Sequence, residues 1–183
     1  MIQFPKSYAD SVARLRVPSG FRIVLIFALF SHPTPASLAI GLPVSLLGLA
    51  LRAWAAGCLA KNQNLATGGP YAYTRNPLYI GTLLVAAGLA VAARSPWLGL
   101  LFAVVFLFVY LPVIQLEEQH LRAIFPAYAE YARRVPALWP RLKPAPPKNP
   151  NPFRFALYLR NQEYNAGAGF AAGVLFLLWK MLA

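Results

Sequence analysis

The chain has 183 residues, of which 58% are hydrophobic and 12% charged, and its mean hydropathy is +0.52. A chain this short cannot hide so much apolar surface inside one water-soluble core, which excludes a soluble globule and marks an integral membrane protein. The net charge of +12 would suit a nucleic-acid binder, but the aliphatic and aromatic runs assign the basic residues to one membrane face, with lipid headgroups as their counter-ions.

Four or five membrane segments follow in chain order. Phe21–Ser31 is apolar but would span only about half the bilayer core, so this segment must start earlier, run past His32 or dip partway. Pro33 and Pro35 separate it from Ala36–Ala60, which carries Pro43, Arg52 and the sole cysteine, Cys58; a lone cysteine excludes an intramolecular disulfide and a Cys-rich metal site. Leu78–Ala93 and Trp97–Leu116 form a hairpin around Arg94-Ser95-Pro96. From Glu117 to Arg134, Leu121, Ile124, Phe125, Tyr128 and Tyr131 recur at helical spacing, and Pro126 divides this amphipathic stretch into two short helices. Ala137–Pro152 is proline-rich and reads as an extended linker, Phe153–Tyr164 returns to a basic aromatic helix, and Ala166–Leu182 is the last membrane segment.

The predicted fold class is all-α, a polytopic transmembrane bundle of about five helices with cytoplasmic amphipathic helices. It forms a single membrane domain over 1–183, divided into an N-terminal part (1–44), a core (45–142), a basic proline-rich and amphipathic interval (143–165) and a C-terminal helix (166–183). With five crossings and an inside N-terminus, 15 of the 17 Lys and Arg residues fall inside or near inner helix ends, leaving Arg94 and Lys180 outside. That orientation predicts an inner or plasma membrane protein whose polar regions face the cytoplasm. A secretory leader over residues 1–36 is the alternative, which the prolines and the long basic start fit poorly.

Two polar regions are then brought to the same face. Residues 69–81 read Gly-Pro-Tyr-Ala-Tyr-Thr-Arg-Asn-Pro-Leu-Tyr-Ile-Gly, a polar aromatic turn at the entrance of a membrane helix, where hydrocarbon offers polar groups no partners. Asn76-Pro77 reads as a helix start, with the Asn side chain capping backbone N–H groups and Pro in the first turn. Arg75 beside that helix N-terminus suits a carboxylate or phosphate. Tyr71, Tyr73 and Tyr79 fit either an interfacial aromatic belt or the walls of a pocket. Glu117-Glu118 holds two of only five acids, and their side chains point about 100° apart on a helix. One is expected to pair with a cation such as Arg75 or Arg122, the other to bind a ligand's hydroxyl or ammonium group. His32 and His120 fall at opposite membrane faces, so no metal site is expected.

These residues resemble the isoprenylcysteine carboxyl methyltransferase-like and phospholipid methyltransferase family of membrane enzymes. Its Gly-Pro-Tyr…Arg-His-Pro-x-Tyr-x-Gly loop and later Glu-Glu-x-x-Leu…Phe…Tyr-x-x-Tyr segment are matched in order by Gly69-Pro70-Tyr71, Arg75-Asn76-Pro77-Leu78-Tyr79-Ile80-Gly81, Glu117-Glu118, Leu121, Phe125, Tyr128, Tyr131, Val135-Pro136 and Trp139-Pro140. The resemblance covers roughly residues 45–142. It implies S-adenosylmethionine as cofactor, bound by Gly69, Tyr71, Tyr73, Arg75, Asn76, Pro77, Tyr79, Gly81, Glu117 and Glu118, and a lipid-embedded or prenylated methyl acceptor arriving from the bilayer. The partners expected are that acceptor and membrane lipids, with no nucleic acid and no metal.

Departures from the family pattern bear on the substrate. Asn76 stands where the family has His, keeping hydrogen bonding but losing a titrating group. Pro126 replaces a Gly. Many relatives carry an Arg shortly before the Glu pair, where this chain has Val113-Ile114-Gln115-Leu116. Gln115, grouped with Glu117 and Glu118 as the catalytic candidates, can hydrogen-bond but supplies no charge, which weakens the case for a carboxylate acceptor. An NADPH-dependent reductase of the sterol-reductase type and a non-catalytic lipid-binding protein are the alternative classes.

Overall fold

The computed structural model describes residues 4–147 and 151–183, with residues 14–21 described by their backbone alone. Among these the regular structure is helical: α1 (Lys6–Phe30), α2 (Pro35–Cys58), a 3-10 turn (Gly69–Ala72), α3 (Pro77–Ala92), α4 (Pro96–Val105), a π-helical turn (Phe106–Tyr110), α5 (Leu111–Ile124), α6 (Tyr128–Arg134), α7 (Phe155–Arg160) and α8 (Tyr164–Leu182). α4, the π-turn and α5 run on as one helix over Pro96–Ile124, which with α2 and α8 is long and apolar enough to cross a membrane. α3 is apolar but shorter, about 24 Å at 1.5 Å per residue. The first membrane segment does start earlier than its apolar run, as its length required. The expected extended stretch Ala137–Pro152 falls partly outside the described residues; up to Pro147 it forms no regular helix.

α2 and α3 pack backbone to backbone because small residues face each other along the whole contact. A Cβ on Gly41 would lie 2.3 Å from the Gly88 carbonyl oxygen, and one on Gly48 would lie 2.6 Å from that of Gly81. Where helices approach so closely in an apolar medium, hydroxyls add bonds across the seam. Ser45 Oγ donates to the Val85 carbonyl at 3.0 Å and Ser37 Oγ to that of Ala92 at 2.8 Å.

The π-turn also has a local cause. Pro112 has no N–H to give the Phe108 carbonyl four residues back and would crowd it in a regular helix. The helix widens by one residue, so that Leu111 N–H reaches Phe106, and the freed Phe108 carbonyl accepts from Tyr8 Oη at 2.9 Å. α1 is thereby tied to the long helix by a bond that the proline made available.

The five long segments run between two polar ends. At one, His32 N–H donates to Ala93 at 2.7 Å, Thr34 and Ser37 close a reciprocal cap on α2, and Lys180 Nζ reaches the Ala28 carbonyl at 2.7 Å. Arg94 lies in the α3–α4 turn at this same end, its φ of 53° making the reversal. The other end collects Phe4, the loop after α2, the C-terminal half of α5, α6 and the α7–α8 corner. The sequence-based grouping of Arg94 and Lys180 apart from the polar loops is therefore what the chain's geometry shows.

Candidate active site

The polar loop is built on the C-terminal end of α2. Gly69 takes φ of +57°, and a side chain there would start 3.0 Å from Cys58 Sγ and 3.3 Å from Trp54 Nε1. Only glycine combines that backbone with so close an approach. The turn buries Tyr71 against Ala55, Cys58 and Ala66. The segment after α6 then runs beside the loop, with Arg75 N–H donating to Pro136, Arg141 N–H to Tyr73 and Ala145 N–H to Ala72 at 2.9–3.0 Å. Tyr131 Oη adds a 2.8 Å bond to the Tyr71 carbonyl. The Val135-Pro136…Trp139-Pro140 stretch is thus the strap that holds the loop down.

Asn76 precedes α3, and Pro77 opens the helix as its sequence position required, but the Asn side chain does not cap it. Its Nδ2 donates to the Ala137 carbonyl at 3.0 Å, beside Thr74 Oγ1, which bonds the same carbonyl. The expectation of a capping Asn is corrected here. The strap carries buried carbonyls that need donors, and an amide N–H₂ meets that need while a capping oxygen cannot.

A cavity of about 610 Å³ opens between the loop, α2, α5, α6 and the α7–α8 corner, a size suited to a cofactor-sized ligand. Its lining takes residues from both halves of the sequence motif: Tyr71, Arg75, Asn76, Pro77 and Tyr79 from the first, Glu117, Leu121, Phe125, Tyr128 and Tyr131 from the second. The Glu pair divides its work as adjacent helical residues must. Glu118 is buried and forms an ion pair with Arg75 at 3.0 Å, whereas Glu117 faces the cavity and accepts from Tyr79 Oη at 2.8 Å. Arg75 Nη1 also donates to the Ala132 carbonyl at 3.2 Å, and its guanidinium lies 6.0 Å from the Tyr128 ring centre. Arg75 Nε is buried with no hydrogen-bond partner.

Five residues expected in the site lie outside the lining, Glu118 among them as the buried partner of Arg75. Gln115 is the clearest correction: its Oε1 accepts from Phe4 N–H at 2.8 Å and its Nε2 donates to the Phe4 carbonyl at 2.9 Å. Both ends of the amide bond the Phe4 backbone, so Gln115 ties the residue just ahead of α1 to α5 and is not among the lining residues. Tyr73 is not among the lining residues and offers its carbonyl to Arg141 N–H of the strap; Gly69 and Gly81 act through backbone approach alone.

The structure adds residues that sequence reasoning passed over. Arg52 of α2 grips Glu163, at the start of α8, through Nε to Oε1 at 2.6 Å and Nη2 to Oε2 at 3.0 Å, and its Nη1 donates to Thr82 Oγ1 and the Leu78 carbonyl. Asn161 in the preceding turn donates to the Ala56 and Leu59 carbonyls, both at 2.9 Å. Arg52, Thr82, Asn161, Glu163 and His120 all line the cavity. An Arg near the end of an apolar helix and one of five acids were the available signals, but their pairing spans 111 residues.

Three tyrosines of this end are held as neutral phenols. Burial pushes Tyr71 far above its ordinary value, and Tyr131, Cys58, Glu117 and Glu163 add to the shift. Tyr128 rises chiefly by burial and then by the Glu118 charge, partly offset by Arg75; Tyr131 rises by burial and by Tyr128. Tyr71 is 6% exposed, and its hydroxyl has no hydrogen-bond partner. Tyr71 thus contributes its ring to the cavity lining while its hydroxyl oxygen is sealed from solvent.

Comparison with known proteins bears on this arrangement. Residues 44–128 match the phospholipid methyltransferase family model. Cobalt-zinc-cadmium resistance protein CzcN of Cupriavidus metallidurans is 36% identical over 135 residues, covering 67% of this chain and 62% of that protein. Nickel-cobalt-cadmium resistance protein NccN of Alcaligenes xylosoxydans xylosoxydans is 36% identical over 107 residues, 55% of this chain and 50% of that one. Protein-S-isoprenylcysteine O-methyltransferase of Schizosaccharomyces pombe is 31% identical over 138 residues, 72% and 58% of the two chains. The chain therefore spans between half and five-eighths of the length of these relatives. No solved structure matches it. Both halves of the cavity's motif, from the Gly-Pro-Tyr turn to Tyr128, fall inside the matched residues, and the chain belongs to the phospholipid methyltransferase family of membrane proteins.

Proposed function

We propose that this protein is an integral membrane methyltransferase that binds S-adenosylmethionine in the cavity at the polar end of the bundle, which faces the cytoplasm, and methylates a lipophilic acceptor entering from the bilayer. The observation that carries the reading is the meeting of the Gly69–Gly81 loop and the Glu117–Tyr131 segment around one cavity. The donor set fits the cofactor. Arg75 keeps one buried, unpartnered N–H for a carboxylate, Glu117 offers a carboxylate for an ammonium or ribose hydroxyls, and the rings of Tyr71, Tyr79, Tyr128 and Tyr131 offer faces for an adenine and a sulfonium. When bound, the cofactor supplies an electrophilic methyl group.

This chain's own contribution is position and exclusion of water. Glu118 fixes Arg75 by the ion pair, the strap fixes the loop through Asn76 and Thr74, and Tyr79 orients Glu117. Leu116, Leu121 and Phe125 present an apolar wall on which an acceptor's hydrocarbon part can lie, so the reacting atoms meet away from bulk water.

Calorimetry of the detergent-solubilised protein with S-adenosylmethionine, S-adenosylhomocysteine and NADPH tests the reading. Saturable binding of the first two is expected, and Arg75→Lys weakens it by about 1.5–3 kcal/mol, the worth of a charged hydrogen bond. Binding of NADPH alone would replace the methyltransferase by a reductase.

A further inference from the structure

A second cavity of about 550 Å³ lies at the opposite end of the bundle, in the α3–α4 hairpin, and runs as a groove between one face of each helix. Ala86, Ala87 and Ala90 of α3 recur at helical spacing opposite Gly99 and Ala103 of α4, so both walls are too short to fill the space between them. Gly99 is not required by close packing: a Cβ there would meet Ala90 Cβ at 3.9 Å, an ordinary contact. Ala87, Val91 and Ala103 are exposed, so the groove is open along its side. From Leu83 to the last residue of α3 it rises about 14 Å at 1.5 Å per residue, close to half of a roughly 30 Å hydrocarbon core and therefore to the depth of one leaflet.

The mouth of this apolar groove is polar. Arg94 lines it from the exposed turn, where its φ is 53°. Ser95 lines it as well; it is 6% exposed, and its hydroxyl neither caps α4 nor finds another partner among the described residues. Trp97, exposed in the first turn of α4, marks the headgroup level at the same height. No acidic side chain is at hand for Arg94. Glu163, Glu118 and Glu130 form the ion pairs among the described residues, and Glu117 holds Tyr79. Glu117 stands about 32 Å along the long helix from Pro96, and Asp10 stands about 30 Å along α1 from Phe30. Lys180, the other cation of this end, is bonded to the Ala28 and Leu29 carbonyls, which accept its protons without cancelling its charge.

We propose that the α3–α4 groove holds one anionic phospholipid of the leaflet opposite the first cavity, with an acyl chain along the alanine and glycine walls and its phosphate on the Arg94 guanidinium and the Ser95 hydroxyl. A guanidinium matches phosphate oxygens with paired N–H groups, and the serine adds a neutral donor beside them. A headgroup with no ammonium of its own suits an end that has two cations and no acidic side chain better than a zwitterionic one does. A helix of a second copy would fill the same groove but would bring no anion to Arg94. The site is independent of what the first cavity binds.

The test is photo-crosslinking of the full chain in phosphatidylcholine nanodiscs doped with a phosphatidylglycerol or a phosphatidylcholine probe, each carrying a diazirine at mid-chain. Labelled peptides of the α3–α4 hairpin are counted by mass spectrometry, a local readout that the basic residues of the other end do not disturb. The phosphatidylglycerol probe is expected to label the hairpin about fivefold more than the phosphatidylcholine probe, the ratio that one arginine at a headgroup supplies. Arg94→Asn, which tolerates the positive φ, is expected to bring that ratio to about one. Gly99→Leu, and Ala103→Leu from an exposed position, fill the groove and are expected to remove the label of both probes. Equal labelling by the two probes in the wild-type protein, a ratio unchanged in Arg94→Asn, or label that survives both filling variants overturns the assignment. So does an equal fall of the ratio in Lys180→Gln, which would mean diffuse charge and no site. Disulfide-linked dimers of Ala87→Cys that form as the label is lost would give the groove to a second copy and overturn it too.

Discussion

The two ends of the bundle solve the same problem with different residues. At the α3–α4 turn, helix ends are closed mostly by neutral groups, namely the Thr34–Ser37 cap, Ser37 on the Ala92 carbonyl and His32 N–H on Ala93, and Lys180 Nζ adds a charged donor to the Ala28 carbonyl. At the opposite end, two Arg–Glu pairs, a Tyr–Glu pair and a proline-rich strap surround a cavity and leave Tyr71 Oη without a partner. Closing helices in a membrane needs only satisfied backbone groups. Arg–Glu pairs beyond that need distinguish the cavity end, whereas each end keeps a buried hydroxyl without a partner, such as Ser31 Oγ at one and Tyr71 Oη at the other.

Variants that break this contrast fall in a definite order. The largest effect is expected from Arg75→Ala, which strands Glu118 at 11% side-chain exposure; removing one member of such a pair costs about 3–5 kcal/mol, read by denaturant unfolding in detergent. A double Arg75→Ala, Glu118→Ala variant recovers part of that loss, whereas strict additivity would show that the two charges do not interact. Gly88→Leu comes next, since its new side chain meets Ser45 Oγ at 2.3 Å and the Gly41 carbonyl oxygen at 2.5 Å; about 3 kcal/mol is expected, in stability and not in cofactor affinity per folded molecule.

Smaller effects sharpen the comparison. Tyr79→Phe removes the bond to Glu117 and costs about 1.5 kcal/mol, visible in cofactor titrations as well as in unfolding. Thr34→Ala removes the cap at the opposite end for about 1 kcal/mol and leaves cofactor affinity alone. The ends also differ at alkaline pH. Tyr71, Tyr128 and Tyr131 have raised values in the folded state, so their contribution is intact below about 10 and is lost as pH rises beyond it, when the unfolded chain ionises first. A wild-type stability that stays flat from pH 9 to 11 would contradict their burial.

How much of the site was legible depended on chain distance. Arg75, Tyr79 and Glu117 stood out because polar residues at a membrane helix end are expensive wherever they occur, a cost that can be read locally. Glu118's pairing with Arg75 was within reach of the same reasoning, since few acids were present to choose from. Gln115 misled because its type and neighbours were visible but its partner, the backbone of Phe4, was not. Asn76 misled similarly: an Asn before a Pro usually caps, and only the strap's Ala137 carbonyl claims it otherwise.

The sequence by itself determined the medium, the helical class, the boundaries of α2 and α3 to within two residues, the break at Pro126 and the two-part motif. These follow from hydropathy, proline chemistry and residue spacing, all of which act over short stretches of chain. Only the tertiary structure decided that α8 contributes Glu163 to the cavity, that both guanidiniums there are already paired, and that Tyr71 is left with a free hydroxyl. Each of these depends on which side chains meet across 38 to 111 residues, a matter of helix packing angle and approach distance. Glycines at 41, 48, 81 and 88 set that approach, and through it they set the charge balance of the site.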